Sequence, residues 1–235
     1  MTKKELKLPK SLDDIKVKDY QKYLVLLEQN KGAESSDFLN LKTLNIFCDL
    51  DVKEAMKTPV SEFDYALQHL GVLFSEKTPL IRQFYLKDDK GDVLKLGFIP
   101  DLHKMSYGEY LDAEKYAGDF NQIHKLMAVM YRPVVFDGKL DTYLIDEYRG
   151  TEHLSDIMLE APVSVALGMQ VFFWNLEIRL SKLMMDSILR QGKEMQEESQ
   201  QLSEESGELS SQLSSLQTET LEELMRLRLF HYTSA

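Results

Sequence analysis

The sequence predicts a mainly α-helical fold with two small β-hairpins: a compact helical domain over residues 1–190, then a long C-terminal helical or partly disordered tail over 191–235. Three observations carry this. Apolar residues recur at three- and four-residue spacing through most of the first 190 positions, the mark of helices with one buried face. The period changes to alternation in only two short stretches, each split by Asp and Gly. Beyond Gln191 the composition turns to Ser, Glu and Gln and apolar residues thin out.

Leu8-Pro9 and Ser11-Leu12-Asp13-Asp14 read as an extended lead-in, after which Tyr20, Tyr23, Leu24 and Leu27 mark a helix ended by Lys31-Gly32. Ser35, Ser36 and Asp37 offer an N-cap for a second helix, with Phe38, Leu41, Leu44 and Cys48 along its face. Asp51 is placed to cap a short turn, and Ser61 to cap a third helix burying Phe63, Leu67, Leu70 and Phe74. The first hairpin is expected from Ile81–Leu86 and Val93–Phe98 around Lys87-Asp88-Asp89-Lys90-Gly91-Asp92, the second from Pro133–Phe136 and Thr142–Ile145 around Asp137-Gly138. Between them, Ser106 with Glu109 forms a capping box, Gly118-Asp119 stops that helix, and Ile123, Leu126, Met127 and Met130 begin another that ends before Pro133. Thr151 is placed to cap a short helix to Met158. The apolar run Ala161–Leu176 then reads as a buried core helix with Trp174 inside it. It is too short and too interrupted, by Gln170 and Asn175, for the roughly 20 apolar residues that a membrane span needs.

In the tail, Ile188, Met195, Leu202, Leu209 and Leu216 form one apolar column at seven-residue spacing. The companion positions Gly192, Ser199 and Ser206 are not apolar, and only Leu213 is, so an uninterrupted coiled-coil seam is not met. The segment reads as a marginal helix that orders against a partner, or else as a solvated disordered tail. Leu221, Leu224, Met225 and Leu227 restore amphipathicity near the end. The candidate partner-binding residues are therefore Met195, Leu202, Leu209, Leu216, Leu221, Leu224 and Met225. Arg132, between Tyr131 and Pro133, joins them as an anchor for a partner, or pairs with a carboxylate of its own fold.

A net charge of −11 opposes phosphate backbones and anionic membranes, so neither nucleic acid nor a membrane is expected as a partner. Cys48 is the only cysteine, which excludes an internal disulfide and a CxxC metal site; in Leu44–Cys48 it reads as a buried inert thiol. The opening MTKKELKLPK has no following apolar stretch and reads as no signal peptide. The five histidines show no metal-ligand spacing, and Met127, Met130, Met158, Met169, Met184 and Met185 read mostly as core filler. Asp101, Glu109, Asp112 and Glu114 could be taken as paired carboxylates, but Glu109 is better explained by its cap. No GxSxG, GxGxxG or phosphate-loop spacing is present. The expectation is a protein without catalytic residues, cofactor or metal.

Several phrases taken together resemble a known family: Leu8-Pro9-Lys10-Ser11-Leu12-Asp13-Asp14-Ile15 with Tyr20–Leu24, Gly97–Leu102, Met105–Tyr110, Met127–Val134 and Gly168–Leu176. The resemblance is to virion-assembly proteins encoded among the tail genes of tailed bacteriophages of Bacteroidetes-type and marine hosts. It runs in order over roughly residues 8–185 and does not reach the tail. It implies a non-enzymatic, tail assembly chaperone-like protein that holds tape-measure or tube subunits soluble, in the host cytoplasm or the virion, with phage structural proteins and further copies of itself as partners. A permanent neck, connector or baseplate subunit is the alternative it leaves open, and a small phage enzyme the more distant one.

Overall fold

The computed structural model describes residues 6–31, 37–88, 90–138 and 142–202, of which 194–202 by backbone alone. The chain divides into two units, one closing at Phe172 and the other beginning at Phe173.

The lead-in is a 3-10 turn at Leu12–Asp14, where an extended segment was expected. Ser11 Oγ accepts from Asp13 N–H, and the Asp14 carboxylate accepts from the N–H of Lys10 at 2.7 Å. That turn is tied to the far end of the unit: Val17 N–H donates to Ala161 O (2.9 Å) and Val163 N–H to Ile15 O (2.7 Å). Four helices follow: α1 (Val17–Gln29), α2 (Asp37–Phe47), α3 (Val52–Ala55) and α4 (Val60–Phe74). Asp51 caps α3 as expected, but α4 starts two residues earlier than a Ser61 cap would allow, with Pro59 at the cap. The expected Ser35 and Ser36 caps lie outside the described residues. Leu44, Cys48, Leu50, Ala55, Ala66 and Leu70 form one core cluster. A second is built around Tyr20, whose ring meets Phe74 (5.4 Å) and Phe120 (5.2 Å) edge-on.

The two hairpins are one sheet. Strands β1 (Gln83–Lys87), β2 (Val93–Phe98), β3 (Tyr131–Asp137) and β4 (Tyr143–Ile145) lie in the order β1-β2-β3-β4, all antiparallel. The join is Leu96↔Pro133, Gly97↔Arg132 and Phe98↔Tyr131. Helices α5 (Tyr107–Tyr116) and α6 (Ile123–Met130) are inserted between the hairpins, and α6 runs directly into β3. One face of the sheet buries Phe84, Leu96, Phe98 and Tyr131, with Tyr131 donating its hydroxyl to Ile81 O at 2.8 Å. On the other face Gly97 makes room for Tyr143: a Cβ there would lie 2.6 Å from the ring.

Helix α7 (Ser155–Met158) is preceded by a turn in which the Thr151 carbonyl, not a side-chain cap, accepts from Leu154 and Ser155. Helix α8 spans Val163–Leu202. Its first residues, Val163, Val165, Ala166 and Met169, are fully buried, and its backbone meets that of Pro79 at Gly168. The burial stops there. Trp174 is 60% exposed, so the expectation that Ala161–Leu176 is core throughout is corrected after Met169. An apolar run in sequence records a need for cover; it does not say whether the same molecule supplies it.

Candidate functional site

In the second unit, Trp174, Ile178, Leu180, Leu183, Met184 and Leu189 are all exposed on α8, Leu183 by 64%. At 100° per residue they do not form the narrow stripe of an ordinary surface helix: with Leu176, Met185 and Ile188 they cover roughly two thirds of the circumference. The remaining arc holds Asn175, Arg179, Lys182, Asp186, Arg190 and Lys193, all exposed. Two apolar bands can be separated by spacing. One follows Trp174, Ile178, Met185 and Ile188; the other follows Leu176, Leu180 and Leu183 with Met184 beside it. Helices with this much apolar surface are normally buried. Among the described residues no helix is long and apolar enough to cross a membrane.

The seven-residue column expected from Ile188 onward meets this surface from the other side. Met195 and Leu202 fall on α8, with their side chains outside the described residues; Leu209, Leu216, Leu221, Leu224 and Met225 lie outside them altogether. Sequence reasoning missed Trp174, Ile178, Leu180 and Leu183 as binding residues. The signal was present: the Ile188 column continues upstream through Ser181 to Trp174, and its companion through Met185 to Ile178.

Arg132 does not belong to that surface. It is 8% exposed, and its guanidinium donates to Glu109 Oε1 at 2.5 Å and lies 5.7 Å from the Tyr148 ring centre. The partner-anchor expectation is corrected: the carboxylate of its own fold holds it. The physical cause is the β2–β3 pairing, which sets Arg132 on the sheet face opposite Tyr131, where Glu109 of α5 meets it. Glu109 also completes the capping box, its Oε2 accepting from Ser106 N–H at 2.5 Å. Tyr148 donates to Asp112 at 2.5 Å. Burial first, then this hydrogen bond, pushes the phenol well above its usual range. Glu109 is thus engaged in its cap and its pair, Asp112 accepts from Tyr148, and Asp101 caps the 3-10 turn Leu102–Lys104.

Cys48 is buried, and burial pushes its thiol up to about 11. His124 Nδ1 lies 3.0 Å from the Gln21 side-chain amide, which also donates to Asn121 O. Among the described residues no group of three or more His, Cys, Asp or Glu could hold a metal ion. Comparison of the chain with protein-family models, curated proteins and solved structures finds no match.

Proposed function

We propose that this is a non-enzymatic binding protein whose working element is α8 beyond Phe172, and that its role is the one the sequence resemblance implies, a bacteriophage tail assembly factor that holds tail subunits until they polymerise. The observation that carries the binding reading is the exposure of Trp174, Leu180, Leu183 and Met184 on one helix. At about 25 cal/mol per Å² of apolar surface, several large side chains left in water represent a driving force for association of several kcal/mol. Contiguous apolar surface of this kind marks interaction sites in soluble proteins. The first unit supplies the anchor: Gly168 on Pro79 and the strand-like tie of Ile15 and Val17 to 161–163 hold the root of α8. The buried Arg132–Glu109 pair and the inert Cys48 have structural explanations, which favours binding over catalysis.

The test is co-expression with tape-measure and tail-tube subunits, using the full chain and a Leu180→Glu, Leu183→Glu variant. The expected result is that the full chain keeps these subunits soluble and co-purifies with them, that the variant does not, and that purified virions lack the protein. Its presence in finished particles at fixed stoichiometry would favour the structural alternative of a neck, connector or baseplate subunit. Capture that is indifferent to the two substitutions would remove α8 as the binding element.

A further inference from the structure

We propose that β1 pairs edge to edge with β1 of a second copy of this chain, antiparallel about a two-fold axis at Tyr85, so that two four-stranded sheets join into one. This goes beyond the assembly reading and does not depend on α8.

The edge is open, and the direction of its backbone groups follows from the ladder. Phe98 N–H donates to Arg82 O (2.8 Å) at one end of the β1–β2 pairing and Asp88 N–H to Asp92 O (2.9 Å) at the other. Antiparallel ladders alternate between hydrogen-bonded and non-hydrogen-bonded pairs. Phe84 and Leu86 therefore turn their N–H and C=O towards β2, and Gln83, Tyr85 and Lys87 turn theirs outward. Among the described residues no element other than β2 runs along β1, and nothing hydrogen-bonds to those outward groups. The opposite edge of the sheet is different. Strand β4 is three residues long and its register with β3 shifts between Val134 and Phe136, both devices that blunt an edge. Strand β1 pairs without a shift over five residues and holds no proline; its one guard is the charge of Lys87.

A second copy is the occupant because the strand is complementary to itself. An outward residue can exchange hydrogen bonds only with another outward residue. Of the registers this allows, the axis at Tyr85 brings Gln83, Tyr85 and Lys87 of both strands into pairs, about six backbone hydrogen bonds. About that axis Arg82 falls opposite Asp88 of the other copy, Gln83 opposite Lys87, Phe84 opposite Leu86, and Tyr85 opposite itself. Cation meets anion, amide meets ammonium, apolar meets apolar and ring meets ring, the cross-strand pairs that stabilise a sheet. Moving the axis to Phe84 would set Arg82 against Leu86, and moving it to Leu86 would set Asp88 against Phe84. The charges are available for this. Neither Arg82 nor Lys87 is in an ion pair among the described residues. Asp88 commits only Oδ1 to its own turn, accepting from the N–H of Lys90 (2.9 Å) and of Asp92 (2.8 Å). Phe84 and Leu86 lie on the buried face of the sheet, so the pairing carries that apolar row across the axis. On the other face Tyr85, 65% exposed with Lys95 Nζ 5.9 Å from its ring centre, gains a second ring.

Light scattering and cysteine cross-linking of the full chain test this, with the buried Cys48 left in place. Residues paired across the axis lie about 5.5 Å apart at Cα, within disulfide reach. Under mild oxidation Tyr85→Cys should form covalent dimer by itself. Gln83→Cys alone should form little, its two copies being about 13 Å apart, and should form dimer efficiently when mixed with Lys87→Cys. Self-cross-linking of Gln83→Cys alone would show another register and overturn the proposal, as would a wild type that stays monomeric at every concentration. Tyr85→Pro takes away only an outward N–H, which an edge strand tolerates; it should keep the wild-type circular dichroism and be monomeric. Arg82→Asp sets carboxylate against carboxylate at both ends of the pairing and should weaken the dimer about tenfold, a result that stands even where the proline variant fails to fold. A dimer indifferent to both substitutions would overturn the proposal. So would one lost in the Leu180→Glu, Leu183→Glu variant and kept in Tyr85→Pro, which would move the contact to α8. Protection of the Tyr85 and Lys87 amides from hydrogen exchange only when a tail subunit is added, without a dimer, would give the edge to a strand of that subunit and overturn the pairing.

Discussion

Glu109 serves two masters: one carboxylate oxygen accepts from the N–H of Ser106 and closes the start of α5, and the other accepts from Arg132 on the neighbouring strand. The pair is buried on both sides, so removing one partner leaves an uncompensated charge. Glu109→Ala should cost about 3–5 kcal/mol by that mechanism. Glu109→Gln combined with Arg132→Met should cost less than Glu109→Ala alone, because the cap acceptor survives and no orphan charge remains. Urea denaturation of the set as a double-mutant cycle would check it; equal losses would mean that the ion pair contributes nothing.

Two helical glycines make opposite predictions. At Gly168 a Cβ would lie 2.2 Å from the Pro79 carbonyl oxygen, a backbone atom that cannot swing aside, while at Gly71 in α4 nothing lies within 4 Å. Gly71→Ala should therefore stabilise by about 0.5–1 kcal/mol through helix propensity. Gly168→Ala should destabilise in spite of the same propensity gain, because α8 must move off the Pro79 backbone. Thermal denaturation midpoints moving in the same direction would refute the close approach.

The difference between what was legible and what was not follows distance along the chain. The Ser106–Glu109 box is local chemistry and stands where the residues place it; at the second hairpin Asp137 belongs to β3 and pairs with Tyr143, so it is strand and not turn. The Leu96↔Pro133 pairing joins residues on either side of two helices, and no local pattern at either strand records it. Arg132 could not be assigned without that pairing, since the face it points to decides whether a partner or Glu109 receives it. Trp174 failed for a different reason: its hydrophobic neighbours are the same whether the cover comes from this chain or another.

His124 makes stability depend on pH. Burial chiefly, with Lys125 nearby, lowers its pKa from the usual 6.5, and Asp156 opposes this only in part. The neutral ring accepts from Gln21, which a protonated Nδ1 cannot do. Because the folded value lies below the unfolded one, the unfolded chain takes up the proton first. Stability is then full above about 6.5 and falls as pH drops from there through the folded value. Glu160, lowered by its hydrogen bonds to Lys16 and Lys18, acts in a separate window below 4.5. Denaturation free energies at pH 7.5 and 5.5 should differ in the wild type and converge in His124→Gln; a slope that survives the substitution would assign it to another group.

Trp174 is the only tryptophan, so its fluorescence reports on α8 without interference. In the isolated chain the indole is largely in water, and its emission should be red-shifted and readily quenched by acrylamide. When a captured tail subunit covers the Trp174 band, the emission should move to the blue and quenching should fall. Truncation to alanine removes no contact from the core of the first unit, so Trp174→Ala should change that unit's stability by no more than about 0.5 kcal/mol, as surface substitutions do. Its melting curve should therefore overlay the wild type, while capture of tail subunits weakens. A blue, unquenchable emission in the dilute monomer would place the indole inside the molecule and remove the exposed band on which the binding reading depends.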